Sequence, residues 1–284
     1  MVVEPALMTQ ELIIQLITSF LIGGGLISLL SLLAEKIPPR FSGIILSLPS
    51  TIILGYFFLG FGQSAQAVAK IVPASIPALG LAVLYPLIYV NLAGYFQNQQ
   101  KNRRKGWVVF YCFLITTILW LIAALPLVIF EHTHLPGGII IYVVLALITH
   151  LFFRKMKGEK FSPRKYPFSS ILLRALFVGL LISIVTYLAE TMNPFWAGVI
   201  AMFPAGLAST LIVMHWSNKA EHLFSVVKNV AIGSLSVFSY AIAAMIFFPL
   251  VGIYWGTLLS LIPSFMVAGF LAWIQNSRFN QSIE

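Results

Sequence analysis

The chain has 284 residues, of which 60% are hydrophobic and only 9% are charged. A soluble domain carries about a quarter charged residues, so this composition excludes an ordinary water-soluble fold. The formal net charge of +9 does not indicate nucleic-acid binding, because the basic residues lie in short loops between apolar runs rather than on one water-facing surface.

Apolar runs of about 20 residues, long enough to cross a bilayer core, follow one another along the chain. The first run, 12–33, has no basic segment before it and no small-residue cleavage site after it, which favours a retained helix over a signal peptide. We therefore predict an all-α polytopic membrane protein with about nine transmembrane helices. The predicted spans are 12–33, 42–61, 71–95, 107–130, 136–153, 170–189, 195–214, 227–250 and 253–274.

The basic residues predict the orientation of these spans. The clusters within 101–105 and 154–165 are separated by two predicted spans and so fall on the same side of the membrane. With that side taken as cytoplasmic, sixteen of the 17 Lys and Arg residues are cytoplasmic and only Lys70 is external. The N-terminus is therefore predicted to be outside and the C-terminus inside.

Residues 24–49 resemble residues 179–204 under a shift of 155 positions. The identical pairs that are informative in a membrane protein are Gly24/Gly179, Ser28/Ser183, Glu35/Glu190, Pro39/Pro194, Gly43/Gly198 and Pro49/Pro204. This match predicts a duplication, with halves 1–160 and 161–284. Because the two copies are five predicted helices apart, an odd number, they would cross the membrane in opposite directions as an inverted-topology repeat.

The second and seventh predicted helices each combine a proline with a row of small residues. A proline at 49 or 204 cannot donate to the carbonyl four residues earlier, which predicts that the carbonyls of Ile45 and Ile200 are free for a hydroxyl, water or ligand. Paired broken helices indicate a binding site near the membrane midplane. The candidate substrate-binding residues are Ser47, Pro49, Ser50, Thr51, Pro204, Ser209 and Thr210. Kinked helices that serve only packing are the alternative.

Glu35 and Glu190 are the only acidic residues that the repeat preserves, and each closes its first helix just before a proline-containing turn. Acids at or within the membrane often bind protons or cations, so both are candidate coupling or gate residues. The alternative is that each caps the following helix near its N-terminus.

The segment NPFWAGVIAMFPAGLASTLIV, followed by the run from Lys228 to Phe248, resembles the GlpM-like group of small bacterial inner-membrane proteins. The first half shows a weaker form of the same pattern in FSGIILSLPS. The resemblance implies two fused small units of about four helices in the bacterial cytoplasmic membrane. It names no substrate.

Inverted repeats are typical of secondary transporters, so the sequence favours transport of an unidentified small solute over a membrane scaffold or regulatory subunit. Motifs for nucleotide binding, zinc proteolysis and serine hydrolysis are missing from the sequence, and we expect no enzymatic activity, catalytic residue, metal site or cofactor. The expected partners are the lipid bilayer and the solute, but no nucleic acid. The sequence leaves a homodimer open.

Overall fold

The structure is a computed structural model that describes residues 10–36, 50–99, 105–130, 134–155, 168–191, 194–217 and 223–281. Within these ranges all regular secondary structure is helical. In chain order the helices are α1 (Gln10–Lys36), α2 (Ser50–Gly62), α3 (Ala65–Gln99), α4 (Lys105–Ile129), α5 (Leu135–Lys155), α6 (Phe168–Thr191), α7 (Pro194–Ala201), α8 (Ala205–Ser217), α9 (Leu223–Val227) and α10 (Val230–Gln281).

Six helical segments in the described part of the chain are long and apolar enough to cross a membrane. They are Ala65–Gln97, Lys105–Ile129, Leu135–Arg154, Ile171–Leu188, Phe195–Trp216 and Val230–Ile274. The prediction of an all-helical, multi-pass membrane protein is thus confirmed. The total of nine spans stays a prediction, partly because the stretch 37–49 lies outside the described residues.

Helix α10 contains a reversal of the chain direction. Gly252 has φ 78° and ψ −177°, a conformation that a residue with a β-carbon rarely adopts. A β-carbon built on Gly256 would lie 2.9 Å from the Cα of Phe248, whereas residues eight positions apart in a straight helix are about 12 Å apart. The chain therefore folds back at Gly252 into two arms, which correspond to the predicted spans 227–250 and 253–274.

Helix α3 lies at the centre of the bundle and packs against α4, α5, α7 and α10. It contains Pro73, Pro77 and Pro86, each of which removes a backbone hydrogen-bond donor. Such losses are tolerated at membrane depth where neighbouring helices bury the backbone, as they do here. The helices around it carry the large apolar side chains that face outward, as an outer, lipid-contacting layer requires.

Helices α1 and α6 form an extensive contact that depends on glycine. A β-carbon on Gly24 would lie 2.9 Å from the carbonyl oxygen of Ala175, and one on Gly179 would lie 2.8 Å from that of Phe20. The residue numbers rise along α1 as they fall along α6, so the two helices run antiparallel. Small residues permit this close approach where lipid supplies little hydrophobic drive for association.

The bounds of the helices follow the sequence match. Moved by 155 positions, the end of α1 at Lys36 becomes Thr191, where α6 ends, and α2 becomes 205–217, the bounds of α8. The same shift turns Phe20 into position 175 and Gly24 into position 179. The contact of Gly24 with Ala175 therefore becomes the contact of Gly179 with Phe20, with the roles of the two helices exchanged.

Candidate functional site

The chain leaves the helical conformation at Met202, Phe203 and Pro204, between α7 and α8. Met202 and Phe203 are buried, and Pro204 is half-buried. At 1.5 Å per residue, the flanking helices of 8 and 13 residues extend about 12 Å and about 20 Å, which together approximate the thickness of a bilayer core. In a segment of this length that crosses a membrane, the break falls inside the bilayer core.

The backbone carbonyls before the break are bonded within the chain. The N–H of Phe203 donates to the carbonyl of Ile200 at 2.9 Å, and the N–H of Met202 donates to that of Val199 at 3.1 Å. The prediction that Pro204 leaves the Ile200 carbonyl free is therefore wrong. The reason is that the last turn of α7 tightens to bonds between residues three apart, which supplies a donor in place of the missing proline N–H.

The two predicted hydroxyls of the second copy lie in the first turns of α8. Ser209 donates to the carbonyl of Gly206 at 2.9 Å, and Thr210 donates to the same carbonyl at 2.8 Å. Both side chains are buried, and both donors are used within their own helix. Their oxygen atoms can still accept a hydrogen bond, and their role in binding a substrate stays a prediction.

The candidates of the first copy are only partly described. Ser47 and Pro49 lie in 37–49, outside the described residues. Ser50 is the first residue of α2, directly after Pro49, and Thr51 is half-buried in the next position. The predicted roles of these four residues therefore stay predictions.

The row of small residues along the seventh predicted helix faces the interior. Ala197, Ala201, Ala205 and Ser209 are all buried. A β-carbon on Gly55 of α2 would lie only 2.6 Å from the β-carbon of Ala201. The end of α7 is thus held against α2 at a distance that only glycine permits.

Phe203, in the middle of the break, is the centre of an aromatic cluster that the sequence did not indicate. Its ring centroid lies 5.2 Å from that of Trp120 on α4, 5.6 Å from that of Tyr85 on α3 and 6.4 Å from that of Phe177 on α6. Aromatic residues are too frequent in this chain for their positions in sequence to reveal which of them meet. The cluster brings three helices to the break.

A polar contact joins α3 to α7 just before the break. The fully buried hydroxyl of Ser75 lies 3.1 Å from the carbonyl oxygens of both Ile71, in its own helix, and Gly198, in α7. Gly198 itself packs on Ile71, where a β-carbon would collide with the isoleucine side chain. This serine therefore satisfies one of the last carbonyls of α7, which its own helix leaves open.

Two tyrosines from different parts of the chain meet beside this contact. Tyr56 of α2 and Tyr240 of α10 are both fully buried, and their ring centroids are 6.3 Å apart. The hydroxyl of Tyr56 lies near Ser75 and that of Tyr240 lies near Thr257, but neither makes a hydrogen bond of standard geometry. Neither residue was singled out in the sequence analysis. The position of Tyr56, directly after a glycine of the small-residue row, is the signal that was available.

The two repeated acids lie at helix ends. The carboxylate of Glu190, next to the last residue of α6, lies against Gly62 at the end of α2 and leaves no room for a side chain there. Desolvation in this position raises the pKa of Glu190 above its ordinary value. Glu35 lies in the last turn of α1, and its side chain is outside the described residues. The role of these two acids as coupling or gate residues stays a prediction.

Within the described ranges, no three His, Cys, Asp or Glu side chains come close enough together to hold a metal ion. His215 of α8 instead pairs with Tyr89 of α3, with 3.2 Å between the hydroxyl and Nδ1. Comparisons of the chain with protein-family models, with curated proteins and with solved structures found no match. The resemblance to the GlpM-like group therefore stays a prediction from the motifs.

Proposed function

We propose that the protein is a secondary-type transporter, which moves a small solute across the bacterial cytoplasmic membrane by alternating access between two inverted repeats. The observation that carries this proposal is the break between α7 and α8, which is buried in the middle of a candidate membrane span and surrounded by side chains from several helices. Discontinuous helices of this kind form the binding sites of many transporters.

The inverted repeat, on which the proposal depends, is supported by the direction of the contacts. Helices α1 and α6 are antiparallel, and their closest contacts exchange under the shift of 155 positions. The repeat also requires α2 to run antiparallel to α7. Gly55 contacts Ala201, the last residue of α7, and Gly62 contacts Glu190 of α6, four residues before α7 begins, which is the order that an antiparallel arrangement requires.

In this proposal the end of α7 and the start of α8 form the fixed site, and the two halves rock about it. The glycine contact between α1 and α6 provides a smooth surface, because small side chains do not interlock. Glu190 is placed to respond to such a motion, since its carboxylate packs on the end of α2, which belongs to the other half. Solute binding would then favour one of two arrangements of the same contacts.

The alternative is a membrane scaffold or regulatory subunit. It is favoured by the second arm of α10, which exposes the large aromatic side chains Tyr254, Trp255, Phe270 and Trp273 to its surroundings. A partner helix or lipid would cover such a face equally well. A scaffold is expected to copurify with a stoichiometric partner and to keep one arrangement of its halves.

Cysteine accessibility separates the two functions without knowledge of the solute. In a background with Cys112→Ala, the single variant Ala205→Cys places a thiol at the start of α8. Alternating access predicts that a membrane-impermeant thiol reagent reaches position 205 from either side of the membrane, in different conformations. The matched control is Ile140→Cys on the exposed face of α5, which should react from neither side. Reaction of position 205 from one side only, or from neither, would contradict transport.

The proposed orientation has its own test. Single cysteines at positions 133 and 160 lie in the loops that are predicted to be external and cytoplasmic, respectively. Labelling of intact cells should modify position 133 and spare position 160. The opposite result would reverse the orientation without affecting the inverted repeat.

A further inference from the structure

The paired tyrosines Tyr56 and Tyr240 present two hydroxyl groups that their surroundings do not satisfy. Both side chains are fully buried, and neither oxygen has a hydrogen-bond partner of standard geometry. An unpaired polar group inside a bilayer is unfavourable, so such groups are expected to meet a partner in one of the states through which the protein passes.

The neighbouring hydroxyls show which kind of partner is missing. Ser75 directs its hydrogen to the carbonyls of Ile71 or Gly198, and Thr257 donates to the carbonyl of Ile253 at 2.7 Å. Their single donors are therefore already used. The Ser75 and Thr257 oxygens have lone pairs left to accept from the phenols, but neither phenol bonds them in standard geometry, so the group that would complete the region is a hydrogen-bond acceptor.

The distribution of charge favours an acceptor that is negative. The sequence contains no aspartate, and all eight of its acidic residues are glutamates. None of these glutamates lies in the six segments that can cross the membrane. One of those segments instead contains the buried Arg174, and the whole chain has a net charge of +9. A desolvated cation would meet no fixed negative charge in these segments, whereas a small anion would meet the two phenol donors.

We infer that Tyr56 and Tyr240 donate hydrogen bonds to a small monovalent anion, with a carboxylate as the preferred class, at a site between α2 and α10. The inference rests on the proposed transport function, because it identifies this anion as the solute or its charged group. The site adjoins the break, since Gly55, the neighbour of Tyr56, packs on the last residue of α7. It also takes one tyrosine from each predicted half of the chain, as a site that responds to their relative motion requires.

Thermal unfolding of the purified full-length protein tests this site. Sodium formate, sodium acetate and sodium chloride are titrated in turn into a sodium HEPES background of constant ionic strength, which contains no carboxylate and no small anion. We expect formate or acetate to raise the melting temperature of the wild type in a saturable manner. Tyr56→Phe and Tyr240→Phe each remove one hydroxyl and should raise the apparent Kd about tenfold or more, as the loss of a hydrogen bond to a charged group implies.

The unliganded variants provide a second readout. Without a small anion, Tyr56→Phe and Tyr240→Phe should melt no lower than the wild type, because each loses a hydroxyl that had no partner. The matched control is Tyr142→Phe, whose buried hydroxyl pairs with Ser234 at 2.8 Å. This control should melt lower than the wild type and keep the full response to the anion.

The result that overturns the inference is no saturable stabilisation by any of the three anions, or an equal response in the wild type and both phenylalanine variants. Failure of the anion site can be distinguished from failure of the proposed transport function. If position 205 is reached from both sides while the anion response fails, transport stands and this site falls. If the anion response is present and depends on the tyrosines while position 205 is reached from one side only, the site stands and transport falls.

Discussion

Helices α3 and α5 are nearly equal in mean hydropathy, yet they occupy opposite environments. In the most apolar window of α3, 83% of the residues are buried inside the protein, compared with 17% in α5. Helix α3 combines its apolar residues with prolines, Ser75, Tyr85 and Tyr89, whereas α5 carries runs of Ile, Val and Leu. Apolar content therefore places a helix in the membrane, but small and hydrogen-bonding residues decide whether it faces protein or lipid.

The largest expected difference between the two helices comes from truncating matched isoleucines. Ile76 of α3 is 0% exposed and Ile140 of α5 is 63% exposed. Ile76→Ala should reduce the free energy of unfolding by about 3–4 kcal/mol, because it leaves a cavity among packed side chains. Ile140→Ala should cost less than about 1 kcal/mol, because lipid chains fill the space. Denaturant titration in mild detergent measures both, and equal losses would contradict the assignment of α5 to the periphery.

A second difference concerns two glycines, one in α7 where it packs on α3 and one at the periphery of the bundle. Gly198→Leu places a side chain against Ile71 of α3 and should cost about 2–3 kcal/mol through overpacking. The matched control is Gly269→Leu in the outer arm of α10, where an added β-carbon meets nothing within 4 Å. Thermal melts should therefore separate the two variants clearly. An unchanged melting temperature for Gly198→Leu would contradict the close packing of α7 on α3.

A smaller difference in stability is expected between the buried hydroxyls of α3 and α5. Ser75 of α3 lies within hydrogen-bond distance of a carbonyl of another helix, whereas the equally buried Thr149 of α5 donates to Leu145, 2.9 Å away in its own helix. Ser75→Ala should cost about 1 kcal/mol, because it leaves the Gly198 carbonyl without its donor. Thr149→Ser keeps its hydroxyl and serves as the control. The prediction fails if Ser75→Ala unfolds at the same denaturant concentration as the wild type.

The smallest effect is expected at Glu190, which lies outside the compared helices. Glu190 is exposed, but partial desolvation of its carboxylate raises its pKa, so the folded protein holds the proton more tightly than the unfolded chain does. The stabilisation is complete below the unfolded pKa and is lost as the pH rises through the folded pKa. Glu190→Gln should therefore melt slightly higher than the wild type at neutral pH. The difference should disappear in acid, and a difference that persists unchanged in acid would refute the sign.

The helices were largely predictable from the sequence, because apolar length and loop charge are properties of single segments. The ends of α1 and α6 lie within three residues of the ends of the predicted spans 12–33 and 170–189. The burial of the row from Ala197 to Ser209 followed from its spacing. These features depend on local chemistry, and one sequence contains that information.

The contacts of the candidate site were less predictable, because they depend on which helices become neighbours. The Ile200 carbonyl found a donor in Phe203, a change of backbone conformation that proline chemistry alone does not reveal. The meeting of Tyr56 with Tyr240 joins residues more than 180 positions apart. Periodicity along either helix gives no reason to pair them.

The break between α7 and α8 also has a consequence for biosynthesis. Neither helix, at about 12 Å and about 20 Å, can span the bilayer by itself, and irregular backbone is tolerated at that depth only where protein covers it. Its cover comes from α6 and, in the first half of the chain, from α2, α3 and α4, which the ribosome makes first. A translocon that released the segment sideways before α3 had taken its place would expose the break to lipid. Insertion of the second half must therefore wait for the first.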